Sequence, residues 1–172
     1  SPKQVDFGPV IAFKNRALAQ AWERFVAQPT GALHAEFDSF VTAEAGWLDD
    51  FALFMALKDA NGGVSWQEWE LPLRLREPVA LAEARGTLRP TVGLHQFRQF
   101  LFFKQWRSVK QYANERGVRL IGDVPIFVAI DSAEVWSQPE FFQLDDERRP
   151  VAVAGVPPDY FSATGQLWGN PL

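Results

Sequence analysis

Cysteine is absent from this 172-residue chain, which excludes a disulfide framework and any thiolate-held metal. Histidine is almost absent as well: His34 and His95 stand far apart with no ligand spacing around them, so both are expected as surface or packing residues. The phosphate-cradling, serine-nucleophile and zinc-protease motifs GxGxxG, GxxxxGK, GxSxG and HExxH are missing, and neither a metal nor a cofactor is expected. Positive charge is short too. Seventeen basic residues face 21 acidic ones, the net charge is −4 and no Lys/Arg-rich run occurs, so nucleic acid is not an expected partner. No apolar run is long enough to span a bilayer, and no secretory leader or N-x-S/T sequon is seen. A membrane is therefore not an expected partner, and the cytoplasm is the expected compartment.

What is present is a globular composition, 47% hydrophobic and 22% charged, with 15 Phe and 7 Trp. The length suits one core and one domain and falls short of the roughly 250 residues of a complete (β/α)8 barrel. Ile11, Leu18, Trp22, Phe25 and Val26 recur at helical spacing and predict a helix over 10–27, stopped near Pro29-Thr30-Gly31. A second helix is expected over 32–45, broken at Gly46, and a third over 47–60 with Asp49 and Asp50 as first-turn caps. The middle of the third, 51–57, is apolar on every side and should be buried. Residues 65–69 read as one helical turn, Pro72 and Pro78 should keep the next stretch irregular, and 80–84 suggests a short helix. A long helix is expected over 90–116, closed by Gly117. The β-branched run 118–124 then reads as a strand ended by Pro125, Asp131–Trp136 as a capped turn with Asp131 as the cap, and 141–153 as a hairpin around 145–148.

Residues 155–171, GVPPDYFSATGQLWGNP, fit no ordinary helix or strand and read as a shaped loop. Tyr160, Phe161 and Trp168 are set there among Asp159, Ser162, Thr164, Gln166 and Asn170. A sugar ring offers an apolar face to stack on an aromatic and an edge of hydroxyls for fixed polar groups, so the mixture suits a carbohydrate surface. The other reading has the three rings pin a long loop to the core. Asp123, at the end of the expected strand, likewise has two readings: a hold on sugar hydroxyls, or a cap for the turn at Pro125.

The loop sequence, together with WLDDFALFMALK at 47–58 and IGDVPIFVAIDSAEVW at 121–136, resembles the amylomaltases, the 4-α-glucanotransferases of glycoside hydrolase family 77. The resemblance covers the chain in order. It implies an α/β fold class, a partial (β/α)8 TIM barrel made of a helical insertion over 1–117 and a barrel strand, hairpin and substrate loop over 118–172. It also implies retaining transfer of α-1,4-glucan segments between maltooligosaccharides, which become the expected partners; the oligomeric state is left open. The substrate-binding residues it implies are Asp123, Asp159, Tyr160, Phe161, Gln166 and Trp168. Retaining transfer needs a carboxylate nucleophile and an acid/base about 5 Å apart. In the family these lie downstream of the loop, so no catalytic residue is expected within this chain and the chain alone is expected to be inactive. With Ser1 in place of Met and Leu172 just past the third segment, both ends read as cut points. Two rivals stand beside this reading: a carbohydrate-binding module without catalytic machinery, and a purely structural helical domain.

Overall fold

Residues 4–172 are described by a computed structural model; the first three residues of the expected helical section lie outside it. Helix α1, Phe7–Ala27, opens on Asp6, whose carboxylate accepts the Gly8 N–H at 3.2 Å. Helices α2, Ala32–Ala43, and α3, Ala45–Ala60, are separated by Glu44 alone. The break therefore falls two residues before Gly46, which is inside α3. With α3 beginning at Ala45, Asp49 and Asp50 lie in its second turn, where the backbone N–H groups already have partners. The capping expectation fails for that reason. Asp50 instead takes Arg76 at 2.9 Å and Arg85 at 3.1 Å, and Asp49 accepts from Gln96 at 3.2 Å.

After a 3-10 turn at Trp66–Glu68 come α4, Leu71–Arg74, and α5, Pro78–Thr87. The expected irregular stretch is thus largely helical. Pro72 and Pro78 each stand in a first turn, where a missing N–H breaks no bond and a fixed φ favours the helix. Helix α6, Arg89–Glu115, ends as expected at Gly117, which adopts φ +74° while the Val118 N–H reaches back to Ala113 O. Helix α7, Ala133–Ser137, is capped by Ser132 Oγ and not by Asp131.

Residues 118–124 form no strand here, contrary to the sequence expectation. Extended backbone needs a neighbour for its N–H and C=O groups, and none of the described residues runs beside it. Ile121, Val124 and Ile126 are left open, Ile121 at 96% exposure. The hairpin over 141–153 is present only as a tight turn. One antiparallel bridge joins Leu144 and Pro150, and Asp145 Oδ1 accepts the N–H groups of Glu147 and Arg149 inside it. The described residues hold one sheet, two antiparallel strands: β1, Val153–Val156, and β2, Gln166–Pro171. Both strands overlap the stretch read as loop only.

Two aromatic-rich cores form. Phe25, Phe40, Leu48, Phe97 and Phe100 fill the space among α1, α2, α3 and α6. Leu53, Phe54, Leu57, Trp66, Trp69, Val135 and Trp136 fill the space between α3, α7 and the 3-10 turn. Helix α3 supplies both, and its Phe51 packs against each. The all-round apolar middle of α3 is buried as the sequence requires. Among the described residues, no helix is long and apolar enough to cross a membrane.

Candidate functional site

The loop between β1 and β2 closes on itself through short polar side chains. Asp159 Oδ1 accepts the backbone N–H groups of Phe161, at 2.9 Å, and Ser162, at 2.8 Å. This local turn is the habit of aspartate that makes it a turn residue. Ser162 Oγ donates to Gly165 O at 2.6 Å, and Gly165, at φ +75°, could not carry a side chain: a Cβ there would lie 2.6 Å from Val156 O. The tip of the loop is thereby held without help from either core. It presents Tyr160 and Phe161 together, ring centroids 3.9 Å apart, at 90% and 75% exposure. Rings pinning a loop to a core would be buried, and these two are not.

Trp168 reaches the surface by a different route. Two steps along β1, Val153 to Gly155, face four along β2, Pro171 to Leu167, so β2 bulges at Trp168, Gly169 and Asn170. Gly169 takes the positive φ, +75°, that the bulge needs. The glycine and proline that argue against a strand are therefore the residues that kink one and end it. The bulge turns the Trp168 ring onto the edge of Phe127, centroids 5.9 Å apart at 72°, and its Nε1–H donates to Gln166 Oε1 at 3.0 Å. Asn170 donates to Val128 O at 2.8 Å.

Of the six expected substrate residues, five share this loop and its strands. Asp159 shapes the tip, Tyr160 and Phe161 form an open aromatic pair, and Gln166 holds the Trp168 indole. Asp123 stands apart, exposed, with Oδ1 accepting the N–H of Val124 at 2.8 Å. Further along the chain from it, Phe127 meets Trp168 and Val128 meets Asn170. Sequence reasoning passed over Phe127, although its place four residues after Asp123 in an aromatic-poor stretch was the available signal. Of the two histidines, His34 stacks on Phe25 with centroids 3.7 Å apart. His95 is buried and donates Nε2–H to Asp59 Oδ2 at 2.9 Å. Burial pulls its pKa below the ordinary 6.5, against the opposing pull of Asp59. Both are packing residues.

A family profile described as 4-alpha-glucanotransferase matches residues 1–172, the whole chain. The chain belongs to glycoside hydrolase family 77. Similar family 77 members include a 4-alpha-glucanotransferase of Thermus thermophilus, 54% identical over 98% of this chain. Another, of Synechocystis, is 50% identical over the same share. A solved structure, an amylomaltase of Streptococcus agalactiae in complex with acarbose, superposes with a TM-score of 0.90 at 40% identity and covers 98% of this chain. The chain spans about a third of the length of these relatives, 34% of each. As a family 77 chain it keeps the small two-stranded sheet and helices described above in the company of a close structural relative.

Proposed function

We propose that this chain supplies a glucan-holding part of a 4-α-glucanotransferase, an enzyme that moves α-1,4-glucan segments between maltooligosaccharides with retention. Family membership and the relatives' names support the activity. The observation that carries the role of this chain is the Tyr160–Phe161 pair, two open rings on a loop stiffened by its own hydrogen bonds. Stiff aromatic area loses little conformational freedom when a sugar ring settles on it. Trp168, half-exposed on β2, offers a further aromatic surface, and exposed Asp123 offers an acceptor for sugar hydroxyls.

In this reading residues 118–172 are one side of a barrel's substrate rim and 1–117 a helical insertion beside it. The 118–124 run becomes a strand once companion strands of a barrel lie next to it. The nucleophile and acid/base belong to the part of the relatives' length that this chain does not span, so the chain by itself does not transfer glucan. The Ser162–Gly165 turn holds the platform whether or not the catalytic carboxylates are present, so the binding role can be tested directly. Replacing both Tyr160 and Phe161 by Ala should weaken binding of maltoheptaose at least tenfold, as measured by calorimetry, since apolar area covered by the C–H face of a sugar contributes about 25 cal/mol per Å². Unchanged affinity in a variant with unaltered circular dichroism would reject the platform.

A further inference from the structure

Among the described residues, 119–131 make no backbone–backbone hydrogen bond, although they carry Asp123 at one end and support Trp168 near the other. Side chains have to hold this strap. Trp66, wholly buried, donates Nε1–H to Ile130 O at 2.7 Å. Asp131 Oδ1 accepts the Trp66 N–H at 3.3 Å, and its Oδ2 accepts from the Lys58 ammonium at 2.6 Å. Lys58 also donates to Gly63 O at 3.0 Å and Val64 O at 2.9 Å. An ammonium has three N–H donors, and all three are taken, so the Lys58 head group has one place to be. The Lys58 side chain is 15% exposed and that of Asp131 36%, so the pair is half-shielded and water competes for the Asp131 side only. From the far side, Asn170 grips Val128 O and Trp168 rests on Phe127.

Lys58 ends the first of the three sequence segments singled out above, Asp131 lies in the second, and Trp168 and Asn170 lie in the third. The three meet on the strap. We infer that Lys58, acting through Asp131, is a positioning residue for glucan transfer: it sets the course of residues 127–131 and so the place of Trp168. Lys58 itself does not touch Trp168. The kinetic part of this inference rests on the transferase reading; the structural part does not.

The test is made on the full chain that carries this sequence, labelled with 5-fluorotryptophan, with the Trp168 resonance assigned from Trp168→Phe. Lys58→Met should move the Trp168 fluorine resonance. It should also lower kcat for maltotriose disproportionation by roughly ten- to a hundredfold, the scale of a misplacement of about 1 Å. KM should rise as well, because Trp168 is one of the rings that hold the glucan in that reading. Lys58→Arg should recover most of kcat. Asp131→Asn, nearly isosteric and still able to accept from Trp66, should repeat the effect of Lys58→Met, and the double variant should be no worse than the worse single one. A kcat within about twofold of the parent in both single variants would overturn the inference. So would a Trp168 resonance that stays in place while the variants remain folded. If the unaltered protein transfers no glucan, the transferase reading falls, and the fluorine spectra still decide whether Lys58 positions Trp168.

Discussion

His95 of α6 and Asp59 of α3 are brought together by the packing of the two helices. That packing has a pH consequence. Burial, reinforced by Arg98 and opposed by Asp59, holds the folded-state pKa of His95 below 6.5, so the fold keeps the ring neutral. Above 6.5 both folded and unfolded states are neutral at this position and its full contribution is present. As pH falls through 6.5 the unfolded chain takes up a proton that the folded one refuses, and stability drops until the folded value is reached. The melting temperature should therefore decline on going from about pH 7 to about pH 5, the ordinary range of histidine. His95→Gln, which can still donate to Asp59 but cannot titrate, should flatten that part of the profile. An unchanged slope in the variant would show that other groups cause it.

At the scale of the elements, periodicity was enough where a helix has a greasy side and a glycine after it. The long helix ending at Gly117 and the buried middle of α3 were both plain in advance. Prolines misled in one direction and glycines in the other. Pro72 and Pro78 read as breakers because composition cannot say whether a proline stands inside a helix or at its start. Gly169 and Pro171 read as loop residues because a bulge is a property of two strands in register, visible only once β1 is beside β2. Close approach between helices is equally silent in a sequence. Gly93 of α6 faces Trp22 of α1, and a Cβ there would lie 2.7 Å from the indole. The indole packs against Phe25, Phe37 and Phe97, so shifting it disturbs that cluster. Gly93→Ala should cost about 1–3 kcal/mol in urea unfolding, the usual scale of overpacking. Adding Trp22→Phe should recover part of that loss, and strict additivity of the two would place the cause elsewhere.

For the molecule as a whole, the candidate site was readable as a list of residues but not as an arrangement. The order Asp-Tyr-Phe-Ser suggests a sugar platform, yet that Asp159 serves the turn and that Phe127 carries Trp168 follow only from the folded chain. The strap that carries Asp123 was invisible because its holdfasts, Lys58, Trp66 and Asn170, are 42 to 73 positions distant from what they grip. The shared helix α3 governs a different property of the molecule. Leu48 faces one aromatic core, Leu53, Phe54 and Leu57 face the other, and Phe51 touches both. Neither core can lose its packing without stripping a side of the same helix, and a single helix of 16 residues has little stability of its own once stripped. The two cores should therefore melt together. Calorimetry should record one heat-absorption peak with equal calorimetric and van't Hoff enthalpies, where two independent cores would give two peaks or a van't Hoff value well below the calorimetric one.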